Sequence, residues 1–230
     1  MIKIVHLYPR EMNIYGDTGN RLILEKRLAW RGIPYETKLV GVGDDIPKDA
    51  SIIIGGGGQD AGQQLIEKDL ITKTKVLRRM AEEGVVMLMI CGMYQLFGRA
   101  FITNTGATIK GAGILPVFTQ AGDARLIGNI VVDTPFGELV GYENHSGQTY
   151  LEDGCLPIGK VRKGFGNNSE DRTEGARIHN VFGSYMHGPL LSKNPDFADE
   201  LLKLALGLTS LKQLDDKLEN SAHESAKKRP

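Results

Sequence analysis

The sequence predicts an α/β fold, with a mostly parallel central sheet covered by helices on both faces and antiparallel strands added in the second half. Three observations predict it. Residues 85–90 form a six-residue apolar run without charge, the pattern of a strand buried on both faces. Strand-like and helix-like stretches alternate from the N-terminus to Phe97, the order that builds a parallel sheet. Beyond Ala100 the texture changes, and residues 103–185 are rich in glycine and in short β-branched runs, at least some of which pair antiparallel.

The elements follow in order. Residues 2–8 form an opening strand, and residues 9–20 a loop dense in turn formers. Asn20 is placed to cap a helix with apolar positions Leu22, Ile23, Leu28 and Trp30, which Gly32 and Pro34 end. Residues 35–40 are a second strand and residues 51–54 a short third one, emptying into Gly55, Gly56, Gly57 and Gly58. A long helix over residues 61–83 carries a core stripe of Leu65, Ile66, Leu70, Val76, Leu77 and Met80. The central strand then ends on Cys91-Gly92, and Met93, Leu96 and Phe97 begin another helix. Short strands are expected around 130–132, 137–143 and 178–183, with an exposed loop at 164–171. Asn194-Pro195 opens a helix running to about Leu206. The leucines at 211, 214 and 218 suggest a further helix within 207–218, and the polar residues 219–230 read as a disordered tail.

Composition narrows the function. A chain of 230 residues suits one α/β domain with an ample core. Lys plus Arg equals Asp plus Glu at 28 each, so no basic field points to nucleic acid. No apolar run approaches the ~18 residues of a membrane span, and the N-terminus lacks the h-region of a signal peptide. Cys91 and Cys155 make neither a disulfide framework nor a zinc site. A cytoplasmic protein with no resident metal is expected.

Chemistry concentrates at Cys91. A strand turning sharply into a helix holds its corner residue at a helix N-terminus, where N–H groups favour a thiolate. Gly92 permits close backbone approach, and together they describe a nucleophile elbow with sulfur in place of oxygen. A free cysteine is also commonly a small buried hydrophobe, and the corner alone leaves both readings standing. The glycine run offers N–H groups for an oxyanion, with Gly57, Gly58 and Gly92 as the candidate donors. Among the histidines, His6 lies in the first strand, His179 in a later strand and His223 in the tail. His145 and His187 each follow an apolar strand in a polar or glycine-rich loop, and residue patterns alone do not choose between them as base.

Four motifs occur in one order: residues 55–60, residues 91–95 (Cys-Gly-Met-Tyr-Gln), residues 141–147 (Gly-Tyr-Glu-Asn-His-Ser-Gly) and residues 184–191. Together they resemble the class I glutamine amidotransferases of the cobyric acid synthase type. The opening stretch at residues 7–20 is similar to the stand-alone branch of that family, the glutaminase subunits of lipid II isoglutaminyl synthases. The resemblance spans residues 1–206 and implies a flavodoxin-like three-layer sandwich. It implies Cys91 as nucleophile, His187 as general base, His145 in the wall of the glutamine pocket, and Arg125 as the residue that holds the substrate. A planar guanidinium suits a carboxylate bidentately.

One position departs from the family. Many members carry a glutamate two residues after the base, where this chain has Pro189. The alternatives are a Cys–His dyad or another acid, with Asp17 the candidate because its loop belongs at the same sheet edge. The chain has no P-loop, so the resemblance implies that ammonia passes to a separate Mur-ligase-like (MurT-type) subunit in a heterodimer. ATP and Mg²⁺ would reside there, and no cofactor is expected in this chain. That subunit would amidate the D-glutamate α-carboxylate of a peptidoglycan stem peptide. Rival readings are a cobyrinate-type acceptor, a non-catalytic regulator of the same fold, and a cysteine peptidase on a related scaffold.

Overall fold

In the computed structural model, which describes residues 1–229, the chain begins with β1 (Ile2–Leu7), α1 (Thr18–Trp30), β2 (Tyr35–Val40), β3 (Ile52–Gly55), α2 (Asp60–Glu82), β4 (Val86–Ile90) and α3 (Gly92–Phe97). It continues with β5 (Ala100–Ile102), β6 (Thr108–Lys110), β7 (Val117–Thr134), β8 (Gly137–Leu151), β9 (Gly159–Lys163), β10 (Thr173–Glu174), β11 (Ala176–Ile178) and β12 (Val181–Ser184). A 3-10 turn at Leu190–Lys193 leads into α4 (Pro195–Leu206) and α5 (Lys217–Lys227). No helix among the described residues is long and apolar enough to cross a membrane.

The central sheet has the order β11-β12-β4-β3-β1-β2, parallel throughout except for the edge pair β11–β12. Every residue of β3 and β4 is buried, as expected of strands covered on both faces. Helix α1 packs with α4 and α2 with α3, giving a flavodoxin-like three-layer sandwich. Most of the antiparallel strands of the second half do not join this sheet. They build a second one, β10-β9-β7-β5-β6 with β8 paired to β7, and only β11 is added to the first.

Several local expectations are corrected by the structure. The inner face of α1 is Asn20, Leu24, Arg27 and Leu28, whereas Leu22 and Trp30 are exposed. Polar side chains hold inner positions there because they have partners: Asn20 Oδ1 accepts the Leu191 N–H (2.9 Å) and does not cap the helix. Leu65 likewise lies on the outer face of α2. The loop at 164–171 is not wholly exposed, since Asn167 is buried and accepts a hydrogen bond from Tyr94 OH (3.1 Å). His179 stands in the turn between β11 and β12 with φ +50°, not within a strand.

The C-terminal segment reverses the expected order. Residues 207–216 are not helical, and Leu218 is exposed, so the spaced leucines do not make a core stripe. The supposed tail instead contains α5; Pro230 lies outside the described residues. Helix formation there is driven by docking rather than composition: Ala226 packs on Val131 and Val140, His223 Nδ1 donates to Lys193 O (2.7 Å), and Lys227 pairs with Glu138 (2.6 Å). The arm is tied down at Arg27, which is 2% exposed and whose guanidinium grips Asp199 of α4 (2.6 and 2.8 Å) and Asp216 before α5 (2.6 and 2.8 Å).

Removing that guanidinium strands two carboxylates in a partly dry site. Arg27→Ala is expected to cost about 3 kcal/mol, at the low end for a broken buried pair because both aspartates keep some access to water. Urea denaturation of the two proteins measures it.

Candidate active site

The carboxyl ends of four adjacent parallel strands converge on one edge of the central sheet, where open α/β sheets hold their ligands. β1 leads into the loop carrying Asp17, β3 into the glycine run, β4 into Cys91, and β12 into Tyr185-Met186-His187. Sequence-distant residues therefore become neighbours.

Cys91 occupies the corner between β4 and α3 with φ +51° and ψ −106°, a conformation that L-residues seldom adopt. Such strain persists only where the surroundings enforce it. Here the Cys91 N–H is held by Ser184 O of the neighbouring strand (2.8 Å), and the Gln95 N–H by Cys91 O (3.0 Å). The residue is 7% exposed and lines a cleft of about 360 Å³, so it is covered but not sealed.

His187 and Asp17 meet Cys91 around Gly57. A Cβ added at Gly57 would lie 3.0 Å from His187 Cε1, 3.1 Å from Asp17 Oδ2 and 3.4 Å from Cys91 Cβ. His187 Nδ1 bonds Asp17 Oδ1 (3.3 Å), and the Tyr15 ring packs on the imidazole with centroids 4.3 Å apart. Nε2 is buried with no hydrogen-bond partner among the described residues. Burial alone lowers the imidazole pKa, but hydrogen bonding and charge from Asp17 and Cys91 outweigh it, and the value is pushed up to about 10.

Asp17 is fully buried at the N-cap position of α1, yet its side chain makes no capping bond. Its carboxylate is used elsewhere: Oδ2 accepts the Gly57 N–H (2.7 Å) while Oδ1 faces His187. The acid that bonds the His187 ring is thus Asp17, from the loop after β1, and the position two residues after His187 is Pro189.

That bond corrects one candidate. The Gly57 N–H is committed to Asp17 and is not available to an oxyanion. Gly58 and Gly92 are, because neither N–H finds an acceptor among the described residues. They face each other closely: a Cβ on Gly92 would sit 2.9 Å from both Gly58 N and Gly58 O.

The second sheet supplies the far wall of the cleft. Arg125 lies in the irregularity that interrupts the β7–β8 ladder between Ala121 and Leu126, a local kink that aims its side chain at the cleft. Its Nε donates to Asn144 Oδ1 (2.6 Å) and its Nη2 to Tyr15 OH (3.3 Å). His145 is not in a loop but within β8, in the cleft wall, its ring stacked on Tyr185 at 3.6 Å and its Nδ1 donating to Gly147 O (2.7 Å). Its ring is thus engaged by Gly147 and Tyr185 and makes no hydrogen bond to Cys91 or His187. The sequence pointed to Cys91, His187, Asp17, Arg125 and His145: the first three meet around Gly57, and Arg125 and His145 line the same cleft as Cys91; Tyr15, Gln95 and Asn144 were missed as cleft residues. For Gln95 a signal existed, four residues after Cys91 on the same helical face.

A family model described as CobB/CobQ-like glutamine amidotransferase domain matches residues 3–195. The chain is 37% identical to the lipid II isoglutaminyl synthase (glutamine-hydrolyzing) subunit GatD of Staphylococcus aureus, over 98% of this chain and 93% of that one. It is 39% identical to the GatD of Streptococcus pneumoniae, over 89% of this chain and 80% of that one. A probable cobyric acid synthase of Methanosphaera stadtmanae is 29% identical over 66% of this chain but only 32% of its own length. Among solved structures, a glutamine amidotransferase superposes with a TM-score of 0.60 at 17% identity, covering 87% of this chain and 98% of that one. The glutaminase domain of Trypanosoma brucei CTPS gives 0.60 at 12% identity, covering 92% and 96%. At such identities these two likenesses speak for the fold.

The geometry predicts a pH signature. Because the folded-state pKa of His187 is raised, its contribution to stability is complete below about 6.5 and is lost as pH rises from there through about 10. In Asp17→Asn the upper end of that window moves to lower pH, and an NMR titration of the His187 ring, with a parallel denaturation series, reads the change.

Proposed function

Since the chain belongs to the CobB/CobQ-like glutamine amidotransferase family, we propose that it is the glutaminase subunit of a lipid II isoglutaminyl synthase, hydrolysing L-glutamine and passing ammonia to a synthetase. The observation that carries the chemistry is the convergence of Cys91, His187 and Asp17 on Gly57 at the floor of a cleft facing Arg125. Likeness to GatD over nearly the whole of both chains favours a stand-alone subunit, whereas the cobyric acid synthase is about three times longer than the matched region.

Glutamine enters with its α-carboxylate toward Arg125, whose guanidinium exchanges its hydrogen bonds to neutral Asn144 and Tyr15 for a charged partner. The sulfur of Cys91, its proton given to His187, attacks the side-chain amide carbon. Negative charge develops on the carbonyl oxygen, and the N–H groups of Gly58 and Gly92 receive it. His187 protonates the leaving nitrogen from Nε2, the C–N bond breaks, and ammonia departs from a thioester on Cys91. Water then attacks the thioester, giving its proton back through His187, and glutamate leaves. Asp17 keeps Nδ1 engaged throughout, so that Nε2 always faces the sulfur. His145 and the stacked Tyr185 shape the pocket wall and take no part in proton transfer.

Ammonia is mostly protonated in neutral water, so its use requires a covered path to the acceptor. A Mur-ligase-like subunit of the MurT type, forming a heterodimer with this chain, fits that need. It would bind ATP and Mg²⁺, activate the D-glutamate α-carboxylate of the lipid-linked stem peptide, and receive the ammonia. Affinity capture from the native cell tests the acceptor class: a Mur-ligase-like protein supports it, and a corrin-pathway synthetase in its place overturns it.

Three variants test this reading. Cys91→Ala is expected to abolish glutamate release while leaving the circular dichroism spectrum unchanged. Gly92→Ala drives a methyl into the Gly58 backbone and spreads the two donors, so kcat should fall ~10²–10³-fold, the usual cost of an oxyanion donor. Arg125→Ala should act differently, raising KM for glutamine more than it lowers kcat.

A further inference from the structure

Glu174 is a fully buried carboxylate that the mechanism above does not use. It ends β10, at the point where the chain leaves the second sheet, turns at Gly175 (φ +67°) and enters the edge of the central sheet as β11. The turn is pressed against β12: a Cβ on Gly175 would lie 2.5 Å from Gly183 O. The Glu174 side chain thus crosses from one sheet to the other.

Its contacts fall at the end of β12. Oε1 accepts both the Ser184 hydroxyl (2.7 Å) and the Tyr185 N–H (2.8 Å). Ser184 Oγ in turn accepts the Met186 N–H (3.0 Å), so one carboxylate oxygen organises three consecutive residues before His187. From the same stretch, Ser184 O holds the Cys91 N–H (2.8 Å). Tyr185 carries the ring on which His145 stacks and a hydroxyl bonded to Gln95 Nε2 (3.1 Å) and Thr149 Oγ1 (2.7 Å). Nucleophile, base and pocket wall are all referred to this one point.

We propose that Glu174 is a positioning residue for glutamine hydrolysis, acting through Ser184 and Tyr185 to hold the strained Cys91 and the His187 imidazole in mutual register. This rests on the reading of Cys91 and His187 as the reacting pair. The second oxygen, Oε2, is buried without a partner, and burial, with the charge of Glu143 adding to it, raises the carboxyl pKa to about 7. A side chain present for bulk alone would not carry that cost. What only an sp² oxygen at this place supplies is one acceptor for two buried donors, which an amide oxygen supplies equally well.

The test uses the full chain and two readouts: the rate at which iodoacetamide alkylates Cys91, followed by peptide mass spectrometry to separate it from Cys155, and kcat and KM for glutamine. Glu174→Ala is expected to slow Cys91 alkylation by about tenfold and kcat by about 10²-fold, the scale of a small misplacement of reacting groups, with KM little changed. Glu174→Gln is expected to restore both rates to near those of the wild type. Should Glu174→Ala fail to fold, Glu174→Asp replaces it, since a carboxylate one methylene shorter cannot reach both donors and should show the same loss. Wild-type rates in the Ala or Asp variant, a loss confined to KM, or a Gln variant no better than Ala would each overturn the proposal. If the wild-type chain alkylates readily at Cys91 but releases no glutamate, the functional reading fails while alkylation still decides the role of Glu174.

Discussion

Two oxygens of one buried carboxylate do different work at the centre of this molecule. Asp17 Oδ2 takes the Gly57 N–H, and Oδ1 takes the imidazole of His187. The first bond pins the glycine run at the end of β3, and the second orients a ring delivered by β12. Because Gly57 has no side chain, both can be satisfied with Cys91 packed against the same backbone. A charge buried this deeply is tolerated only when its lone pairs are occupied. The converse also holds: occupying them forces the loop after β1, the loop after β3 and the end of β12 into one arrangement.

The two sheets divide the labour. The parallel sheet brings four strand ends to one edge, which places reactive groups within ångströms of each other whatever their separation along the chain. The second sheet contributes surface: Arg125, Asn144 and His145 line the cleft together with Cys91. An irregularity in the long β7–β8 ladder turns Arg125 toward the cleft, where regular pairing would have continued past it. In the proposed reading, reactivity and recognition belong to different layers, and Glu174 is one of the links between them.

Away from the cleft the same logic governs the C-terminal arm. Arg27 is buried in α1 because Asp199 and Asp216 reach it from two directions, and that clasp fixes where α5 begins. Helix α5 then rests on the 3-10 turn that follows His187, with His223 bonded to Lys193 O. A segment of polar composition becomes ordered by tertiary partners that its own sequence does not reveal.

Legibility followed the range of the interactions. The alternation of apolar runs and glycines made the strands β1 to β4, the helix α2 and the elbow at Cys91 readable, since each depends on residues within one turn or one pleat of each other. Family resemblance of ordered motifs separated His187 from His145. The polar inner face of α1, the gathering of antiparallel strands into a sheet of their own, the helix at 217–227 and the removal of Gly57 from the oxyanion donors were not readable. Each is settled by tertiary partners outside the element itself, as far as 40 residues away for Gly57 and Asp17 and 172 for Arg27 and Asp199. By itself the sequence determined which segments are strands and helices of the core and which sulfur stands at a corner. Only the tertiary structure decided which buried polar groups face each other, because a hydrogen bond depends on the meeting of two groups in space and leaves no periodic trace along the chain.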